Sequence, residues 1–200
     1  MSYFKPSAPI NIEIEIKQSR FICYIQPVSG RDEADAFVQS IKQMHPKANH
    51  NCWSYIAGSP ENSHQWNFSD DGEPKGTAGQ PMLNILRHSG LGQVCAVVTR
   101  YFGGIKLGTG GLVRAYGRSV QEGLVQVCTE EVIATSDIEL LLPYNLTGDI
   151  EYLIKQYQIE VNERNFGDQL QIKGVIKLDQ IDPLIQALTP FQHQIEMVID

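Results

Sequence analysis

The residues able to do chemistry in this chain are gathered in two segments. The first runs Thr99-Arg100-Tyr101-Phe102-Gly103-Gly104-Ile105-Lys106-Leu107-Gly108-Thr109-Gly110-Gly111-Leu112-Val113-Arg114-Ala115-Tyr116-Gly117, with six glycines from Gly103 to Gly117 and no acidic residue between Arg87 and Gln121. Glycine lets backbone N–H groups come close to a ligand or adopt positive φ, so the turn through Gly103, Gly104, Gly108, Gly110 and Gly111 is suited to cradling an anion. Gly110 and Gly111 directly precede a helical stripe that opens at Leu112, and a helix start favours phosphate or carboxylate through its unpaired N–H groups and its dipole. Arg100, Lys106, Arg114 and Arg118 bring positive charge to the same stretch. The glycines equally suit tight strand-to-helix packing. Their spacing is neither a Walker A loop nor a dinucleotide fingerprint.

The second segment is Ser69-Asp70-Asp71-Gly72-Glu73-Pro74-Lys75-Gly76-Thr77-Ala78-Gly79-Gln80-Pro81. Clustered carboxylates bind hard cations or divide into acid and base when close together, so Asp70, Asp71 and Glu73 invite either reading. Asp-Gly and Glu-Pro are also ordinary turn dipeptides, and an aspartate before a helix can cap it. Electrostatics adds another possibility, an acidic loop folding as a lid over the basic glycine-rich segment. Elsewhere, His45, His50 and His64 lack metal-ligand spacing, and no metal or cofactor is expected. Ser19, Ser69 and Ser119 have no nucleophile elbow, and Cys52 beside His50 is a neighbour in sequence only, so hydrolysis has no support. Trp53, Tyr55 and Trp66 can stack bases. The alternation of Trp53 with Tyr55 also fits one buried face of a strand, which leaves Trp66, in the polar stretch, as the more exposed of the two tryptophans.

These segments need a scaffold, and hydrophobic periodicity outlines it. Ile10, Ile12, Ile14 and Ile16 alternate with polar residues as in a half-buried strand. Phe21 to Val28 reads as a second strand, and Ala34, Phe37, Val38 and Ile41 mark a helix from about Asp32 to His45, closed by Pro46. Cys52 to Ala57 reads as a strand and 58–79 as a long loop, a length common in functional loops. Pro81 to His88 suits a helix closed by Gly90, and Val94 to Val98 is an apolar run typical of a strand buried on both faces. Beyond Gly111, Leu112, Tyr116, Val120, Leu124 and Val127 share one helical face, with Arg114, Arg118 and Gln121 opposite. From Ile138 the order is β-α-β-β-α-β, with Pro183 expected in the first turn of the second helix, a ferredoxin-like arrangement.

Charge separates the two regions. Of the 16 basic and 23 acidic residues behind the net charge of -7, only four basic but eleven acidic ones lie from Asp137 onward. Such a tail is a poor grip for phosphate. The expected organisation is a domain over 1–132 and a second over 137–200, divided in the polar stretch from Thr129 to Ser136. No run of eighteen apolar residues and no basic-then-apolar start is present, so neither a membrane span nor a secretory signal is expected, and the default location is the cytoplasm. Cys23, Cys52, Cys95 and Cys128 are widely spaced and read as reduced, mostly buried thiols.

At the two glycine-containing segments, and at Lys17-Gln18-Ser19-Arg20-Phe21, His45-Pro46 and His50-Asn51-Cys52, the sequence resembles the IMPACT family in its bacterial branch. The resemblance spans essentially the whole chain. It implies an α+β protein: a first domain of the ribosomal-protein-S5-domain-2-like fold, which recurs in elongation factor G and in phosphate-handling enzymes, and a ferredoxin-like tail similar to the last domain of elongation factor G. It further implies RNA or ribosome contact and a regulatory role in translation, by binding and not by catalysis. Eukaryotic members restrain a starvation-responsive kinase through an additional N-terminal domain without counterpart here, so that role does not carry over. Arg20, Arg100, Lys106, Arg114 and Arg118, with Gly103, Gly104, Gly108, Gly110 and Gly111, are the expected phosphate contacts. The alternative is an enzyme or sensor for a small phosphorylated or acidic ligand, with Asp70, Asp71 or Glu73 as acid, base or magnesium ligand.

Overall fold

The computed structural model describes residues 2–199, and these divide into two units, Tyr3–Val132 and a second from Ile133 onward. The first is built on a five-stranded antiparallel sheet of β2 (Ile10–Ile16), β3 (Ser19–Pro27), β6 (Val94–Tyr101), β4 (His50–Ile56) and β5 (Trp66–Ser69), in that spatial order. A two-stranded ribbon pairs β1 (Tyr3–Pro6) with β7 (Thr129–Val132). β6 lies at the centre, and its alternation explains its unbroken apolar sequence. Val94, Ala96 and Val98 enter one core with α2 (Gly79–Ser89) and α3 (Thr109–Leu124), while Cys95 and Val97 enter another with α1 (Arg31–Met44). A central strand covered on both faces has no wet side to mark with polar residues.

The edge strand β2 shows the opposite pattern. Ile10, Ile12, Ile14 and Ile16 pack toward the α2–α3 core, and Asn11, Glu13 and Glu15 stay exposed. Period-two patterning legible in the sequence thus decided which face is dry.

The second unit places β8 (Thr135–Leu142), β9 (Glu160–Phe166), β10 (Leu170–Lys177) and β11 (Glu196–Ile199) in the order β11-β8-β10-β9, all antiparallel, with α4 (Thr147–Gln156) and α5 (Leu178–Leu188). This is the ferredoxin-like order expected from the sequence. Ile138, Leu140, Leu142, Ile172 and Ile176 meet Ile150, Leu153, Ile154, Leu184 and Leu188 in its core. α5 starts at Leu178, so Pro183 is its sixth residue and lies inside the helix, past the first turn. The amphipathic stripe that suggested a later start misses the opening turn, where Asp179 and Gln180 carry no apolar signal. No helix among the described residues is long and apolar enough to cross a membrane.

Within 58–79, read from the sequence as loop, Trp66–Ser69 forms the edge strand β5 against Trp53, Ser54, Tyr55 and Ile56. Four residues are too few for an alternation to declare itself. Trp66 is partly buried against the α2–α3 core, and the Arg87 guanidinium carbon lies 4.6 Å from its ring centroid. Its expected exposure is therefore corrected. Cys23, Cys52 and Cys95 are buried free thiols and Cys128 is exposed; burial pushes each of the three buried thiols far up from the ordinary cysteine value.

Candidate nucleic-acid interface

The glycine-rich segment leaves β6 at Tyr101 and enters α3 at Thr109. Its glycines do different things. A Cβ on Gly103 would lie 1.8 Å from the backbone oxygen of Gln18, because the hairpin turn at Lys17 and Gln18 packs directly on it, and Gly103 N–H donates to Ser19 Oγ at 3.2 Å. Gly111 packs against Leu107, where a Cβ would meet Leu107 Cβ at 2.9 Å. Gly104 and Gly108 have φ of +91° and +73° with nothing within 4 Å, so they serve chain direction in the left-handed region. Gly110 needs neither service: beside it there is only the tip of Arg114, at 3.9 Å. The open backbone accordingly lies at Gly104, Gly108 and Gly110, and the helix starts with no side-chain cap.

The five basic residues are not brought to one place. Arg100 pairs across the sheet with Phe21, and Arg20 with Tyr101. Adjacent strand positions face opposite ways, so Arg20 and Arg100 lie on opposite faces. Arg20 is exposed and held by Glu13 through Nε–Oε1 and Nη2–Oε2 bonds of 2.8 and 2.9 Å. Those bonds keep the Glu13 carboxyl below its ordinary range. Arg100 points toward the α2–α3 core, continuing the inward register of Val94, Ala96 and Val98, and is only 6% exposed. Its Nη1 donates to Glu73 Oε1 at 2.6 Å, while its buried Nε has no partner. Tyr116 OH donates to the same Glu73 oxygen at 2.8 Å. Burial drives that hydroxyl far above the usual tyrosine value, so it remains a donor. On the surface, Arg118 is ion-paired with Glu122 one turn on, at 2.6 Å, whereas Lys106 and Arg114 are exposed and make no ion pair among the described residues.

Asp70, Asp71 and Glu73 are each engaged by the protein itself. Asp70 Oδ1 accepts from Ala78 and Gly79 N–H at 3.0 and 2.9 Å, and Oδ2 from Gly76 N–H at 2.7 Å. The start of α2 is thereby capped from eight residues upstream, satisfying donors a helix leaves open. Gly79 is required there, since a Cβ would meet the backbone oxygen of Ser69 at 2.7 Å. Asp71 accepts from Lys42 Nζ at 2.6 Å and from Asn51 N–H at 2.7 Å. Its φ of 44° is held by these contacts. Glu73 carries the electrostatic link to the glycine-rich segment, through Arg100 and Tyr116. His50 donates from Nδ1 to the Asp71 backbone oxygen at 2.9 Å, and its Nε2 stands 3.9 Å from Glu73 Oε2.

A groove of about 670 Å³ runs between α2 and α3, with Arg114 and Arg118 on one wall, Gln80 and Asn84 on the other, and Ile85 and Gly117 among its lining residues. None of its lining residues is acidic. Gly117 lines it without a side chain, and a Cβ there would make ordinary contact with Ile85 at 3.8 Å. Sequence periodicity placed the arginines on the wet face of α3; the opposing amide wall on α2 carried no comparable signal.

His45, just past α1, bridges two tyrosines on the far face of the sheet: Tyr24 OH lies 2.6 Å from Nε2 and Tyr101 OH 2.9 Å from Nδ1. Burial, and then the charge of Arg20, lowers its pKa from 6.5. A folded-state pKa below the unfolded one means the unfolded chain takes up the proton first, so this stabilisation is present above about pH 6.5 and is lost as pH falls. In urea unfolding, the stability advantage of wild type over His45→Gln is expected to narrow between pH 7.5 and 5. An advantage independent of pH would contradict this sign.

Comparison with known proteins agrees with the division of the chain. Residues 17–124 match the Impact N-terminal domain, and residues 140–191 match a domain of unknown function (DUF1949). The chain is 48% identical over 187 residues to an IMPACT family member of Haemophilus influenzae, covering 94% of this chain and 91% of the relative. It is 47% identical over 155 residues to the IMPACT family member YigZ of Escherichia coli (78% and 76% covered), and 41% identical over 188 residues to YvyE of Bacillus subtilis (94% and 86% covered). A crystal structure of a hypothetical protein with 38% identity superposes with a TM-score of 0.72, over 98% of this chain and 96% of the other.

Proposed function

Because the chain belongs to the IMPACT family, we propose that its first unit binds RNA, ribosomal RNA included, through phosphate contacts along 100–118, and that this contact is how it acts on translation. The observation that carries the reading is the α2–α3 groove, with two arginines and no carboxylate in its lining. Nucleic acid is held first by charge, and a groove whose cations face no acidic partner across it is where that charge is available. Within 100–118, Lys106 and Arg114 are the cations with no ion pair among the described residues, beside a helix start that has no side-chain cap and whose Gly110 leaves the backbone open. Arg118 contributes less, since Glu122 shares its charge, and the buried Arg100 acts by position and not by contact. Arg20 belongs to the opposite face and lies apart from this surface.

Titration of the full chain with labelled structured RNA at two salt concentrations tests this. Affinity is expected to fall steeply with salt, and Arg114→Ala to weaken binding to all sequences alike while reducing the logarithmic salt slope by about one. Arg20→Ala, on the far face, is expected to leave both unchanged. Absence of binding at low salt removes the proposal.

A further inference from the structure

We infer that the RNA bound is single-stranded, with one unpaired base stacked on Phe102; this rests on the RNA reading above and adds what distinguishes a strand from a duplex. Charge alone does not distinguish them, since both present phosphates. Phe102 does.

Phe102 is 45% exposed at the start of the glycine-rich segment. Phe4, Phe68 and Phe166 are exposed as well; what sets Phe102 apart is that its ring is held in place beside a basic, glycine-rich turn. The Arg100 guanidinium carbon lies 5.6 Å from its ring centroid and 5.5 Å from that of buried Phe21, so the guanidinium joins an interior ring to an exterior one. Arg100 is itself fixed by Glu73. Phe102 N–H donates to Asn49 Oδ1 at 2.8 Å, and the next residue is pinned to the β2–β3 turn. A ring supported from within by a fixed cation and anchored through its backbone is a rigid shelf, and stacking on it orders little that was not already ordered.

The residues that follow supply the rest of a nucleotide's contacts. Gly103 and Gly104 place no side chain beside the ring, Ile105 is 43% exposed, and Lys106 is an exposed cation without an ion pair among the described residues. A base on the ring, its sugar over the glycines and Ile105, and a phosphate at Lys106 follow the connectivity of a single nucleotide, base to sugar to phosphate. A base inside a duplex has both faces covered by its neighbours, so only an unpaired or terminal base reaches the shelf.

The test uses the full chain with a labelled single-stranded oligoribonucleotide and with the same oligonucleotide annealed to its complement, at low salt. Single strand is expected to bind about tenfold more tightly than duplex. Phe102→Ala is expected to remove that preference, weakening single-strand binding about tenfold, with duplex affinity and the salt slope unchanged. Phe102→Trp is expected to restore the preference, with its emission quenched as single strand is added. Binding of both RNAs with equal affinity, unaltered by Phe102→Ala, overturns the stacked base while leaving the RNA reading intact. Failure of both to bind at low salt overturns the RNA reading and this one with it. An effect of Phe102→Ala on ribosome co-sedimentation without any effect on naked RNA assigns the ring to a protein contact and also overturns it.

Discussion

Glu73→Ala is expected to destabilise the first unit by about 3–5 kcal/mol, the range for removing one partner of a buried ion pair. Three features put this position at the upper end of single-substitution effects. Arg100 is only 6% exposed and its Nε already lacks a partner, so without Glu73 it would be left buried and uncompensated. Tyr116 OH would lose its acceptor at the same moment. The loop from Asp70 to Thr77 would lose the side chain that ties it to β6 and α3. Glu73→Gln retains an acceptor for Tyr116 and for Arg100 and is expected to cost less. Combining Glu73→Ala with Arg100→Met is expected to recover part of the loss, because two apolar groups in place of a buried pair leave no stranded charge. Tryptophan fluorescence during urea unfolding reads the effect in the first unit alone, since the chain's two tryptophans, Trp53 and Trp66, both lie there. A loss below about 1 kcal/mol would mean that the pair is not the link between loop, sheet and helix.

Gly103→Ala is the second large effect, expected at about 3 kcal/mol, the top of the ordinary range for overpacking. The added methyl would sit 1.8 Å from Gln18 O and 2.1 Å from Gln18 C, both backbone atoms. The turn cannot easily retreat, because Lys17 and Gln18 already hold φ of 47° and 63°, and because β2 and β3 are paired along their length from Ile10–Ile25 to Ile16–Ser19. Gly104→Ala is the natural comparison. There the methyl meets nothing within 4 Å and only the φ of +91° resists it, a strain of about 1–2 kcal/mol. Urea midpoints of the two variants separate packing from conformation. If Gly104→Ala were the more damaging, the contact with Gln18 would not be what requires glycine at 103. The pair also bears on binding: Gly103→Ala is expected to displace the Phe102 shelf and Gly104→Ala to leave it in place, so only the first should lower single-strand affinity.

The roles of the loop carboxylates show where sequence reading reached its limit. Asp70, Asp71 and Glu73 are three of four consecutive residues and look alike in sequence, yet one caps α2, one ties α1 to β4, and one is buried with Arg100. Asp70 has near partners, Gly76, Ala78 and Gly79, and a capping aspartate was open to a local reading. The other two roles are set by partners far along the chain: Lys42 lies 29 residues from Asp71, and Arg100 lies 27 from Glu73. Arg100 did carry a usable signal. It continues the alternation of Val94, Ala96 and Val98 and so belongs to the inward face, but a charge at the end of an apolar run is more readily taken for the point where the strand meets water. For Arg20 the deciding fact is that it pairs with Tyr101, and register between two strands is not written in either one.

What the sequence determined by itself is the material whose signal is local. Side-chain alternation and 3.6-residue stripes set the strands and helices, the β-α-β-β-α-β order of the tail, the wet face of α3 with Arg114 and Arg118, and the separation of an acidic second region from a near-neutral first one. The long glycine-bearing motifs marked the family. Tertiary structure decided which members of the motifs are available: it buried Arg100, turned Arg20 to the other face, paired Arg118, occupied all three loop carboxylates and left Lys106, Arg114 and Phe102 open. The physical reason is that exposure, charge compensation and close approach are properties of pairs of distant residues, and such pairs exist only once the sheet has chosen its register and the helices their face.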